Sequence, residues 1–180
     1  MVKTLLNEVK EYKKDTILSP VYVSIEAILE VFIPFLMAIL VDNGIEKGDM
    51  KSIWFYGFLM LVAAFVSLWA GAKSRKHAAI ASSGFAKNLR KAEYRNIQNF
   101  SFSNIDAYST SGLITRMMTD VTNIQNAYQM MIRICVRAPL MLIASLIMAF
   151  IINKEMALIF VAAVFVLGVV LFGIIFIVSP

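Results

Sequence analysis

A single cysteine, Cys135, excludes an internal disulfide and any cysteine-clustered metal site. A single histidine, His77, flanked by Arg75 and Lys76, reads as an interfacial side chain and not as a ligand. Charge is scarce too: 16% of the 180 residues are charged, against 59% hydrophobic. A soluble domain of this length has no interior large enough to hide that much apolar surface. A cleavable leader is also not expected in MVKTLLNEVKEYKKDT, which is charged throughout and has no short apolar core before a small-residue cleavage site. What these absences leave is a chain solvated by lipid.

Crossing a ~30 Å hydrocarbon core at ~1.5 Å per residue takes about 20 apolar residues. Residues 17–41, 53–72, 132–152 and 156–178 qualify as spans. The turns within the first and last pairs, DNGIEKGDMKS and NKE, are short, whereas residues 73–131 form a long segment of mixed polarity. Of the 17 basic residues, Lys3, Lys10, Lys13 and Lys14 precede the first span and only Lys47, Lys51 and Lys154 lie in the short turns. The rest fall between positions 73 and 137. Basic residues gather on the cytoplasmic side. The N-terminus and the long segment are therefore expected in the cytoplasm of a multi-pass protein. The net charge of +5 becomes a topology signal, and nucleic acid is not an expected partner.

Residues 1–16 carry Leu5, Val9 and Tyr12 at i, i+4 and i+7 with Leu6 beside them. This pattern fits a short amphipathic helix on the membrane surface, with a frayed charged tail as the alternative. From Lys73 to Phe100 there is no proline, and Gly84 is the only glycine. The second span is therefore expected to continue as one helix to about Phe100, ~48 residues or ~70 Å. FSFSNIDAYSTSG then has the composition of a turn. After Gly112, Leu113, Met117, Val121, Ile124 and Tyr128 restore a helical stripe, and Ser111 or Thr110 can supply the N-cap oxygen. Arg116 and Asp120, four apart, are placed to pair. The segment 73–131 reads as a helical hairpin with its tip near Asn104–Ser111.

Glu26 and Glu30 lie four apart on one face of the first span. A carboxylate near the bilayer centre costs roughly 2.5–3.5 kcal/mol, so each must face protein or water. Glu26 sits ~14 Å from the inner edge and Arg137 ~8 Å from it, heights that long side chains can bridge. A Glu26–Arg137 pair is the expectation, with Arg133 one turn nearer the cytoplasm and able to snorkel. Glu30 is left nearer the midplane. For these acids a structural ion pair and a cavity that attracts cationic drugs both remain open. Pro34 and Pro139 each remove a helical hydrogen bond and predict kinks. Trp54, Phe55 and Tyr56 open the second span, as interfacial aromatic anchors do.

Taken in order, EAILEVFIPFLMAILVDNGIEKGD, NLRKAEYRNIQNFSFSNID, STSGLITRMMTDVTNIQN and MMIRICVRAPL resemble the transmembrane domain of type-1 ABC exporters, bacterial multidrug-type half-transporters above all. The third stretch is similar to that family's SGxLxxRxxxDVxxI segment. The resemblance implies an all-α membrane protein with long helices extending into the cytoplasm, four spans of a six-span domain in residues 17–180. It implies a plasma-membrane location, a second transmembrane half in a homo- or heterodimer, and an ABC nucleotide-binding domain as partner. A short coupling helix at the loop tip falls on Asn104, Ile105, Asp106, Ala107, Tyr108 and Ser109. The resemblance implies amphipathic drugs, lipids or similar compounds such as peptides as the substrate class. No GxxxxGKS or GxxxxGKT phosphate loop occurs, so no catalytic residue or cofactor is expected in this chain, while ATP and Mg are implied for the full-length family. Other readings are a four-helix proton-coupled drug exporter, or a non-transporting fragment or membrane partner.

Overall fold

The computed structural model describes residues 8–99 and 110–178. Every element in them is helical. A tight turn at Lys10–Tyr12 leads into α1 (Lys13–Leu40), which ends in a widened turn, Val41–Ile45. Next come α2 (Met50–Gln98), the short α3 (Thr110–Thr115), a second widened turn at Arg116–Asp120, α4 (Val121–Ile152) and α5 (Lys154–Val178). Among the described residues, four helical stretches are long and apolar enough to cross a membrane: Lys10–Ile45, Met50–Gln98, Met117–Ile152 and Lys154–Ile174.

Local chemistry fixes where the helices begin. Gly48 takes φ +64°, the left-handed region that glycine enters without steric cost, and so stops the preceding helical turn. Asp49 then caps α2: its carboxylate accepts from the Lys51 amide at 3.1 Å and the Ser52 hydroxyl at 2.6 Å. These bonds hold its carboxyl below the usual range, the Ser52 hydroxyl being the larger cause. Asn153 performs the same service for α5, accepting from the amides of Glu155 at 2.9 Å and Met156 at 3.3 Å. One polar residue thus lets two long apolar helices follow each other directly.

The chain divides into two compact units, residues 1–27 with 64–138 and residues 28–63 with 139–180. In the first, Val9, Ala81, Phe85, Ala86, Leu89, Val121 and Tyr128 form a buried cluster with Tyr12, Ile124 and Ile132 packed on it. The α2 face here is built from small residues: Ala70, Ser74, Ala78, Ala81 and Ser82 are fully buried. Small side chains let helices approach closely, and Ser74 Oγ donates to the Ser19 carbonyl of α1 at 3.1 Å. The distal part of α2 pairs with α4 antiparallel. Phe85 stacks on Tyr128 at 4.7 Å between centroids, Ser82 donates to Gln129 at 3.3 Å, and Arg90 Nη2 reaches Thr122 Oγ1 at 3.2 Å.

Of the amphipathic surface helix expected over residues 1–16, only residues 8–16 are described. Val9 is buried in the hairpin cluster, and the Tyr12 ring lies against Gly84 of α2. Leu5 and Leu6 lie outside the described residues. At Val9 and Tyr12 the apolar face covers protein, because the hairpin's own apolar stripe continues beyond the spans and needs a lid. Thr16 fastens the stretch further, 2.9 Å from the Tyr128 hydroxyl.

In the second unit the described helices keep most large side chains exposed. Leu36, Leu40 and Ala157 are buried, and Gly44 is closed in as well. A Cβ on Gly44 would sit 2.7 Å from Ile53 Cγ1, so the turn can fold onto the start of α2 only with glycine there.

Candidate functional site

Glu26 is 4% exposed, and the reason lies on the facing helix. A Cβ on Gly71 of α2 would sit 2.5 Å from Glu26 Oε1, so glycine leaves the space that the carboxylate fills. Three guanidinium groups close around it. Oε1 lies 3.5 Å from Arg137 Nη1 and 3.6 Å from Arg75 Nη2, and Oε2 lies 4.0 Å from Arg133 Nη2. One carboxylate of α1 is thus shared by one arginine of α2 and two of α4.

At these separations the attraction is Coulombic, longer than a charge-assisted hydrogen bond of about 2.8 Å. Glu26 Oε2 and Arg133 Nε are buried without a hydrogen-bond partner. In low dielectric an isolated carboxylate is costly, and surrounding cations offset that cost. The cluster therefore joins three helices and cancels the Glu26 charge. The carboxylate is poorly placed to recruit a cation from outside.

Of the residues singled out in the sequence, Glu26 and Arg137 are brought together and Arg133 joins them. Glu30, one turn further along α1, is half-buried. Asn104, Ile105, Asp106, Ala107, Tyr108 and Ser109 lie outside the described residues, as does the Arg116 side chain. Arg75 escaped the sequence reading. Its signal was there: Gly71 and Arg75 are four apart, so both point from α2 toward the same neighbour.

A second polar link stands beside the first. His77 Nδ1 is 2.7 Å from Asp15 Oδ1, and the Tyr22 ring stacks on the imidazole at 5.6 Å and 5°. Trp69 meets Tyr22 edge-on at 5.6 Å, with Lys73 Nζ 5.9 Å from the Trp69 ring centre. His77 therefore ties α2 to α1 through an acid. In the hairpin, partial burial raises the Glu93 carboxyl, the negative charge of Asp120 raises it further, and Arg90 partly offsets both.

Four apolar helices, an α2 that runs 49 residues, and an arginine cage knitting α1, α2 and α4 define a polytopic α-helical membrane domain with a built-in helical hairpin. Residues 16–178 match the ABC transporter transmembrane region. The chain belongs to that family, and its architecture is that of part of an ABC exporter transmembrane domain. It is 34% identical over 131 residues to the uncharacterized ABC transporter ATP-binding protein YfiB of Bacillus subtilis, covering 73% of this chain and 23% of that protein. Uncharacterized ABC transporter ATP-binding proteins of Mycobacterium bovis and Mycobacterium tuberculosis are each 26% identical over 165 residues, 88% of this chain and 27% of theirs. The chain thus spans about a quarter of the length of these curated relatives.

Proposed function

We propose that this chain is the permease part of an ATP-driven exporter of amphipathic compounds such as drugs or lipids. The observation that carries the reading is α2, which is continuous over 49 residues and paired along its far half with the arm that returns into α4. A helix of that length reaches ~70 Å at 1.5 Å per residue, more than twice a ~30 Å hydrocarbon core. Such a lever has a purpose where force is delivered outside the membrane. ATP and Mg would be held by an ABC nucleotide-binding domain, and the ATP-binding names of the relatives support that partner. In this reading a second transmembrane half completes the pathway, the N-terminus and hairpin lie in the cytoplasm of the plasma membrane, and residues 104–109 make the coupling contact.

The test reconstitutes the chain with its nucleotide-binding domain and second half, then compares wild type with the Asp106→Ala, Tyr108→Ala double variant. Export should fall at least about 10-fold, the loss of roughly 1.4 kcal/mol of coupling, with nucleotide affinity unchanged. Unimpaired export would reject the coupling assignment. Dissipating the proton gradient should leave ATP-driven export intact. Export that stops with the gradient and ignores ATP would favour a proton-coupled mechanism.

A further inference from the structure

The arginine cage holds more positive charge than Glu26 requires. Arg75, Arg133 and Arg137 all face that one buried carboxylate. The contacts of 3.5–4.0 Å are long, and Arg133 Nε is buried with no acceptor. Arg133 and Arg137 also line a groove of about 560 Å³ along α4, together with Asn126, Gln129, Met130 and Ile134. Met130 is 63% and Ile134 55% exposed. Two cations and two amides therefore stand beside bare apolar side chains, where the apolar part of α4 begins.

We propose that this groove binds an anionic phospholipid from the leaflet on the hairpin side. The headgroup phosphate sits on Arg133 and Arg137, with an acyl chain along Met130 and Ile134. A guanidinium presents paired N–H donors that match two phosphate oxygens, and it is less strongly hydrated than an ammonium. Free phosphate satisfies the arginines and leaves the apolar wall uncovered. A phospholipid covers both. The site does not depend on whether the chain exports anything.

The test places the whole chain in phosphatidylcholine bilayers and measures, by electron spin resonance, the protein-associated fraction of spin-labelled phosphatidylglycerol against spin-labelled phosphatidylcholine. Phosphatidylglycerol should associate about 5-fold more strongly, the scale of one basic residue acting on an anionic lipid. The Arg133→Gln, Arg137→Gln pair should reduce that preference toward equality, whereas Lys13→Gln, Lys14→Gln should retain it. Because the arginine variant leaves Glu26 short of partners, Glu26→Gln supplies an independent arm: it frees the arginines and should raise the preference. Inorganic phosphate at constant ionic strength should not displace the labelled lipid. Equal association of the two lipids in wild type overturns the proposal, as does a preference that ignores both the arginine and the Glu26 variants. Displacement by inorganic phosphate overturns the lipid as the ligand.

Discussion

Phe85 and Phe58 belong to the same helix, yet one is 2% exposed and the other 68%. Around Phe85 the α2 sequence supplies Ala78, Ala81, Ser82 and Gly84, and the chain's own helices close over them. Around Phe58 it supplies Trp54, Phe55, Leu61 and Phe65, all exposed. Small residues on the first stretch allow backbones to approach, and large ones on the second present surface to whatever surrounds the helix. Lipid tails are as apolar as leucine, so the second stretch gains little by burial against another helix unless the packing is close. One helix thus packs closely on protein through small residues at one end and presents large apolar side chains at the other.

The sharpest way to break the comparison is to attack the charge that one unit buries. Glu26→Arg places a fourth guanidinium in the cage, and stability should fall by about 3–5 kcal/mol, the cost of leaving buried charge uncompensated. The readout is the yield of inserted, protease-resistant chain. Adding Arg137→Glu to that variant should recover part of the loss. A double variant worse than both single ones would mean that Glu26 and Arg137 do not act as a pair.

Next in size is the pair of phenylalanines. Phe85→Ala should cost about 3–5 kcal/mol, because it empties a packed site stacked on Tyr128. Phe58→Ala should change stability by about 0.5 kcal/mol or less, since its ring has no packed protein site to vacate. Equal losses in detergent or lipid unfolding would erase the distinction between the two ends of α2. The glycines sharpen it. Gly84→Ala drives a methyl into the Tyr12 ring and should cost about 1–3 kcal/mol, whereas Gly57, with nothing within 4 Å of an added Cβ, should accept alanine with a gain of about 0.4–1 kcal/mol.

Much of the architecture was legible because its signals are one-dimensional. Apolar runs announce the four apolar helices, and the absence of proline from residues 73–100 announces a second helix that the structure carries to Gln98. Residue counting puts Glu26 and Arg137 at neighbouring heights, and their charged atoms lie 3.5 Å apart. The helix faces were harder to read. Arg75 was passed over because its closeness to Glu26 depends on which side of α2 meets α1, a fact carried by Gly71. Asp15 and His77 meet for the same reason, each ordinary in its own stretch. The widened turn at Arg116–Asp120 has no composition that sets it apart from helix. Val9 and Tyr12 showed an apolar face, but that face alone does not distinguish lipid from protein as its cover.

The smallest predicted effect lies in the hairpin. Glu93 is partly buried, and its carboxyl is raised by that burial and by Asp120, with Arg90 opposing. Its folded-state value therefore lies above that of the unfolded chain. The folded state holds the Glu93 proton more firmly, so stability from this group is present at low pH. It is lost as pH rises from the ordinary carboxylate value through the raised one. Glu93→Gln removes the group and should make the chain slightly more stable above that window, with a Tm gain of about 1 °C on the scale of a weak surface interaction. Below the window the two chains should melt together. Thermal unfolding of both between pH 4 and pH 8 decides the matter, and a variant less stable than wild type at neutral pH would mean that Arg90 holds Glu93 more strongly than burial and Asp120 disfavour it. The same scan at Asp49 should slope the other way. Its lowered carboxyl contributes stability at neutral pH that is lost as pH falls through the folded-state value, because its partners are an exposed amide and a hydroxyl that bind the charged form.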